Sequence, residues 1–135
     1  MRWSSVGVAA LLALATASSP AWSQQTTANY KVVGRGQSIQ VDKFGTFNPD
    51  CSSIGRTTIN LVEPPRGGTV ETAQGRDYPT FSNNNVRFQC DKRRLPMALV
   101  FYRARPDFTG NDSFVIEAVF GDGQARQVRY NVEVR

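Results

Sequence analysis

Residues 114–134, FVIEAVFGDGQARQVRYNVEV, decide the fold. Apolar residues occupy every second position on both sides of Gly121-Asp122-Gly123, and a period of two is typical of β-strands. In the second half the alternate positions are all polar: Gln127, Arg129, Asn131 and Glu133. A strand with one face on a core and the other in water has this pattern. The stretch therefore predicts an antiparallel hairpin.

The register of this hairpin follows from the same pattern. With a three-residue loop, Ile116 faces Val128 and Phe114 faces Tyr130, so that apolar residues share one face. A two-residue loop would place Ile116 opposite Arg129, and a slip of one residue turns a buried face outward. Three-residue hairpin loops commonly end in a residue with positive φ, which Gly123 supplies. The three-residue loop is therefore predicted.

The residues before the hairpin carry a motif that resembles a known family. They are Tyr102, Pro106, Phe108, Gly110, Asp112 and Phe114. The motif is similar to that of bacterial cadherin-like or immunoglobulin-like repeats, Tyr-x-Pro-x-Pro-x-Phe-x-Gly-x-Asp-x-Phe-x-Tyr, with Ala104 in place of the first proline and Ile116 in place of the last tyrosine. Residues 64–70, PPRGGTV, give a weaker similarity. The resemblance implies an all-β immunoglobulin/cadherin-like antiparallel β-sandwich of about seven or eight strands, a fold shared by adhesive modules, spacers and accessory domains.

The amino terminus has the features of a cleavable signal peptide. Arg2 precedes an apolar run at residues 6–16, and Ala21 and Ser23 are small residues at the positions that a signal peptidase reads. The run is shorter than the roughly 20 residues that span a bilayer, and no cysteine lies nearby to carry a lipid. We expect a signal peptide at residues 1–23 and one domain at residues 24–135, in a periplasmic or secreted protein that does not span the membrane after cleavage.

The two cysteines, Cys51 and Cys90, are expected to form a disulfide. An even number of cysteines in an exported chain usually pairs. A redox-active pair is not expected, because the sequence has no Cys-x-x-Cys and no histidine that would lower a thiol pKa.

The remaining chain predicts further short strands separated by turns. Residues 30–33 and 38–41 form one interrupted first strand, and further strands are predicted at residues 57–62, from residue 69, at 86–90 and at 97–102. Residues 44–53 and 73–85 are predicted loops, since they are rich in glycine, proline and asparagine. The apolar run 97–102 predicts a strand that is buried on both faces or covered by a loop.

A group of basic residues is the most distinctive charge feature. We expect it to occupy two neighbouring strands and their connection. It comprises Arg87, Lys92, Arg93, Arg94, Arg103 and Arg105. Such a basic face would suit an anionic envelope polymer or an acidic protein partner. The alternative is a solvated face whose charges protect a sheet edge. Nucleic acid is a poor partner for an exported chain whose formal net charge is only +5.

Asp107, Asn111 and Asp112 place three oxygen-bearing side chains within six residues, which raises the question of calcium. Their spacing is not that of a helix-loop-helix calcium site, and an aspartate in this setting more often accepts hydrogen bonds from turn amides. No metal and no cofactor is therefore expected.

Catalysis is not expected, because the chain contains no histidine. This removes the commonest general base and the Ser-His and Cys-His pairs. Two enzymatic possibilities remain: a carboxylate pair for glycoside hydrolysis, and Ser52 or Ser53 activated by a lysine. The sequence thus favours a non-enzymatic module that binds or organises envelope components or a protein partner. The alternatives are a purely structural accessory protein and a small hydrolase.

Overall fold

The computed structural model describes residues 27–135, so the signal peptide predicted for residues 1–23 lies outside the described residues. Seven strands follow one another: β1 (Thr27–Val33), β2 (Ser38–Phe44), β3 (Thr58–Glu63), β4 (Gly68–Asp77), β5 (Leu95–Ala104), β6 (Gly110–Val119) and β7 (Ala125–Val134). A short 3-10 helix, Phe88–Lys92, precedes β5. No helix among these residues has the length and apolar character needed to cross a membrane.

The strands form two sheets. One has four strands in the order β1-β7-β6-β3 and the other has three in the order β2-β5-β4. All neighbouring strands are antiparallel except β1 and β7, which run parallel. The prediction of an all-β sandwich of about seven or eight strands is confirmed in its fold class and strand number.

The β6–β7 hairpin has the predicted register. Ile116 pairs with Val128 and Phe114 with Tyr130, and the Phe120 amide donates to the Gln124 carbonyl across the three-residue loop. Gly123, at the end of that loop, has a φ of 87°. This conformation strains residues with a Cβ, which explains the glycine.

One apolar core lies between the two sheets. Val100 and Tyr102 from β5 meet Phe114 and Ile116 from β6 and Tyr130 from β7, and each is fully buried. The Tyr102 and Phe114 rings stack with centroids 5.7 Å apart, and the Phe114 and Tyr130 rings with centroids 5.0 Å apart. These three rings join the two sheets through the centre of the sandwich.

The prediction that residues 30–33 and 38–41 form one interrupted strand is wrong. Residues 27–33 and 38–44 belong to different sheets, because β1 pairs with β7 and β2 pairs with β5. A turn closed by the bond from the Gln37 amide to the Gly34 carbonyl carries the chain from one sheet to the other. Apolar alternation gives the direction of each side chain but does not identify the neighbouring strand.

Two further predictions are wrong between residues 73 and 90. Residues 73–77 continue β4 rather than starting a loop, because each pairs with a residue of β5. Residues 86–90 are not a strand, since turns lead into the 3-10 helix at Phe88. Within that helix the Cys90 amide donates to the Arg87 carbonyl, and only Cys90 is buried. Its burial comes from the disulfide and the cluster around it.

The motif that carries the family resemblance is structural. The Asp112 carboxylate accepts hydrogen bonds from the Tyr102 hydroxyl at 2.7 Å and from the backbone amides of Arg66, Gly67 and Ser113 at 2.8–2.9 Å. Phe108 covers Gly67 so closely that a Cβ there would collide with the ring. The predicted hydrogen bonding of Asp112 to turn amides is confirmed.

The other members of the motif shape the chain between β5 and β6. Pro106 lies against Gly36, and Gly110 has a φ of 115° at the start of β6. Phe114 lies in the central stack. The residues of the motif therefore hold the two sheets together and leave other surfaces to carry function.

Candidate partner-binding loops

A second apolar cluster lies outside the sandwich, under two long loops. Residues 45–57 connect β2 to β3 and residues 78–94 connect β4 to β5; together they are called the loop pair. Leu95 and Met97 of β5 are buried there against Phe47, Cys51 and Cys90. The strand predicted at residues 97–102, buried on both faces or covered by a loop, is confirmed at this end of β5, where the loop pair covers Met97.

The inner side of the loop pair is held by covalent and polar bonds. Cys51 and Cys90 form the predicted disulfide. The Arg87 guanidinium Nε donates to the Phe47 carbonyl at 2.6 Å, and the Gln89 amide donates to the Pro49 carbonyl at 2.7 Å. Three separate bonds thus link residues 78–94 to residues 45–57.

Aspartates stabilise the turns within each loop. Both carboxylate oxygens of Asp91 accept from the Phe81 amide at 3.0 Å. Asp50 accepts from the Ser52 hydroxyl at 2.6 Å and from its amide at 3.0 Å. These bonds hold the pKa of Asp50 below its usual value, the side-chain bond contributing most. The turns are therefore fixed by local contacts.

The outer side of the loop pair exposes apolar side chains. Val86 is 68% exposed, Tyr78 47% and Phe88 44%, and Ile54 is exposed on the facing loop. These are four of the eight large apolar side chains that are exposed among residues 28–135. All four belong to the two linked loops, and exposed apolar side chains that form a contiguous patch mark interaction sites.

Four of the six predicted basic residues lie at the loop pair, but they differ in their contacts. Arg87 is half-buried and anchors the loop. Arg94 donates to the Arg76 carbonyl, and Arg76 donates in return to the Arg94 carbonyl. Lys92 and Arg93 are exposed. Within residues 27–135 their side chains make no hydrogen bond or salt bridge, although the charge of Arg93 contributes to the lowered pKa of Asp50. These two are available cations of the loop pair.

Arg103 and Arg105 lie at the opposite end of β5 from the loop pair. Arg103 is exposed on the outer face of the three-stranded sheet, between Ser38 and Thr69. Arg105 donates to the Arg66 carbonyl at 2.9 Å and forms a salt bridge with Asp107 at 3.2 Å. The expected placement of the six on two neighbouring strands is wrong, because residues 86–94 are turns and a 3-10 helix.

The three oxygen-bearing residues considered for calcium do not form a group. Asp112 is buried and its carboxylate is occupied by four donors, whereas Asp107 is exposed and paired with Arg105. No cluster of three or more metal-ligating side chains occurs among the residues the structure describes. Asp107 and Asp112 therefore have structural explanations.

Sequence reasoning missed the apolar part of the loop pair. Val86 and Phe88 alternate with polar residues, which led to the predicted strand with its apolar side inward. The signal available was Asn83-Asn84-Asn85 immediately before Val86, because three asparagines favour turns over a strand. Tyr78 lies between β4 and Pro79 and gave no periodic signal.

Comparisons with known proteins add little. No family model and no curated protein sequence matches the chain. Among solved structures, the chain is similar to the solution structure of Amebosin, with a TM-score of 0.42 and 8% sequence identity over 82% of this chain and 99% of that chain.

Proposed function

We propose that this chain is an exported, non-enzymatic immunoglobulin-like module that binds a negatively charged envelope partner through the loop pair. The strand order supports the immunoglobulin-like assignment: β2-β5-β4 and β3-β6-β7 correspond to the B-E-D and C-F-G groupings of that fold, with β1 added beside β7. The motif from Tyr102 to Phe114 supports it too. The disulfide is compatible with a periplasmic or extracellular location.

The observation that carries the proposed binding function is the contrast between the two sides of residues 78–94. The inner side is fixed by the disulfide, while the outer side exposes Val86, Phe88, Lys92 and Arg93. A loop that is already ordered loses little conformational entropy when it binds. Exposed apolar side chains on the same loop as exposed cations suit a partner that combines an apolar contact with negative charge.

Binding is preferred to catalysis because the carboxylate pair that shares a depression, Glu63 and Asp112, is already engaged. A depression of about 340 Å³ includes both Glu63 and Asp112. Asp112 is saturated by four hydrogen bonds, and Glu63 is engaged by Arg129 at 2.9 Å. A general acid or base must instead reach a substrate proton.

The test is capture of partners from envelope extract by the oxidised mature protein. Replacing Lys92 and Arg93 by glutamate, or Val86 and Phe88 by alanine, should each reduce recovery of the captured partner at least about tenfold, because each removes one part of the contact. Arg103→Glu is the matched control, an exposed cation away from the loop pair. Arg87, Arg94 and Arg105 are left intact because they bond to backbone carbonyls.

Recovery should also fall as salt is raised, since screening weakens exposed charge pairs. Equal recovery by the wild type and both loop variants would refute the proposed site. Equal loss in the Arg103→Glu control would instead indicate attraction by overall charge.

A further inference from the structure

The outer face of the four-stranded sheet is a second exposed surface, on the side of the sandwich away from the loop pair. Strand pairing aligns its residues in rows. Tyr30 pairs with Asn131, which pairs with Ser113, and in the next row Val32, Glu133 and Asn111 are aligned in the same way. Rows on one face of a strand are about 6.8 Å apart, because alternate residues share a face.

Two adjacent depressions lie along these rows. One, of about 330 Å³, is lined by Tyr30, Val32, Asn111, Asn131 and Glu133. The other, of about 340 Å³, is lined by Pro64, Arg66, Asn111 and Ser113 among others. Both include Asn111 and Asp112, so the two form one shallow surface from β1 towards β3. Their sizes are at the lower end of the roughly 300–1,000 Å³ of small-molecule sites.

The charges on this face nearly balance, since Lys31 and Arg66 line the two depressions together with Glu63, Asp112 and Glu133. Arg129 on β7 reaches across β6 to Glu63 on β3 at 2.9 Å, and this ion pair covers Val115, which is 3% exposed. Glu133 pairs with Arg135 at 2.9 Å. An occupant of this surface would therefore meet little net charge, which disfavours an anionic polymer and favours a neutral one.

The uncharged side chains offer hydrogen bonds and one aromatic ring. Among residues 27–135, no hydrogen bond engages the amide groups of Asn111 or Asn131, and each amide can both donate and accept. The Tyr30 side chain is 81% exposed beside Asn131. A pyranose ring has the matching chemistry: its hydroxyls exchange hydrogen bonds with amides, and its C–H face packs on an aromatic ring.

From this combination we infer that the surface around Tyr30, Asn111 and Asn131 binds a neutral polysaccharide. Tyr30 supports one sugar ring, and the two asparagines bond to hydroxyls of that ring and its neighbour. The occupant is an extended chain, because the two depressions are continuous and open to solvent. This site is independent of the loop pair and differs from it in ligand charge.

Affinity electrophoresis in gels containing soluble β-glucan, xylan, mannan or amylose tests this inference. At least one of these glycans should retard the wild-type protein, and retardation should be insensitive to salt because no net charge is involved. Tyr30→Ala and Asn131→Ala should each weaken binding at least about tenfold, whereas Tyr30→Phe should retain it, because the ring is kept.

Tyr78→Ala is the matched control, since it removes another exposed tyrosine at the loop pair and should leave retardation unchanged. Thermal unfolding checks that Tyr30→Ala is folded, as expected for an exposed side chain. Absence of retardation on all four glycans, or wild-type retardation of Tyr30→Ala, would overturn the inference. Both results leave partner capture by the loop pair standing, and failure of that capture leaves the glycan site standing.

Discussion

Asp112 connects the two sheets through its hydrogen bonds. Its carboxylate joins Tyr102 of β5 to the turn before β4 and to β6. Burial alone would raise the pKa of Asp112, but the hydrogen bonds from Arg66, Tyr102, Gly67 and Ser113 together hold it below its usual value. Burial raises the pKa of Tyr102, and the hydrogen bond to Asp112 raises it further. The pair is therefore held as a carboxylate and a neutral phenol.

Asp112→Asn should lower the unfolding free energy at pH 7 by about 2–3 kcal/mol, because an amide cannot accept from all four donors and leaves buried groups unpaired. The folded-state pKa of Asp112 is below its unfolded value of about 3.9. Its contribution is thus fully present above about pH 4 and is lost as pH falls through the folded-state pKa.

Urea denaturation of the wild type and Asp112→Asn between pH 2 and pH 7 measures this difference. The gap between the two proteins should narrow below about pH 4. A gap that stays constant to pH 2 would contradict the depressed pKa. Asp107→Asn, at an exposed carboxylate, is the control and should change stability by less than about 0.5 kcal/mol.

Arg87 was predicted as part of a binding face, yet its contact is structural. Arg87→Ala removes the bond to the Phe47 carbonyl and should cost about 1–2 kcal/mol, since a charged donor is lost from a half-buried acceptor. Arg103→Ala should change stability by less than about 0.5 kcal/mol, because Arg103 is exposed. Similar losses for both variants in thermal denaturation would argue against the anchoring role.

Among the elements, the β6–β7 hairpin was predictable because several local signals agreed. The alternation of apolar and polar residues indicated which side chains face the core, and the position of Gly123 indicated the length of the loop. Only one register placed Ile116 opposite an apolar partner. The loop pair was not predictable in this way. Its shape depends on a disulfide and on hydrogen bonds between residues about 40 positions apart, such as that from Arg87 to Phe47. A local sequence pattern does not indicate which distant residues will be in contact.

The sequence also could not predict which sheet each of the first two strands joins. β1 and β2 are separated by a short turn and share an extended pattern, but the turn carries the chain between sheets. For the candidate site, the sequence identified the available cations Lys92 and Arg93. It did not identify which arginines bond to carbonyls, because this depends on where the long side chains end.

Gly123→Ala tests the loop conformation of the β6–β7 hairpin. The φ of 87° at this position should make the substitution cost about 1 kcal/mol, since a Cβ strains a left-handed conformation. Nothing lies within 4 Å of the site of the added Cβ, so no collision contributes. Chemical denaturation measures the loss; a stabilised variant would contradict the left-handed geometry.

Removing the disulfide tests how much this bond stabilises the loop pair. Replacing Cys51 and Cys90 together by serine should lower the unfolding free energy by about 3–4 kcal/mol, the size expected for a closed loop of about 40 residues. Residues 78–94 should then become the first site of proteolysis, because their covalent link to residues 45–57 is gone. Unchanged protease resistance would show that the hydrogen bonds alone hold the loop.

At the scale of the whole molecule, the three stacked rings of Tyr102, Phe114 and Tyr130 make the two sheets one cooperative unit. Tyr102 belongs to the three-stranded sheet and the other two rings to the four-stranded sheet. Tyr130 also donates to Asp42 of β2, a second bond between the sheets. Neither sheet is expected to persist once the other is lost.

Phe114→Ala should therefore reduce the unfolding free energy by about 3–5 kcal/mol, because it opens a cavity at the centre of the core. Far-ultraviolet circular dichroism and tyrosine fluorescence should report the same transition midpoint in the wild type, as two-state unfolding requires. Separate midpoints would mean that the sheets unfold independently. Val86→Ala, at an exposed position, should be within about 0.5 kcal/mol of the wild type.

The two outer faces of the sandwich are unequal: the loop pair covers part of one, and the other is bare. Ligands seated on opposite sides of so thin a body do not compete for space. With both proposed sites occupied, a single copy would crosslink a charged component to an uncharged polysaccharide. Such crosslinking would raise the viscosity of a mixture of the two, an effect that neither isolated surface would produce.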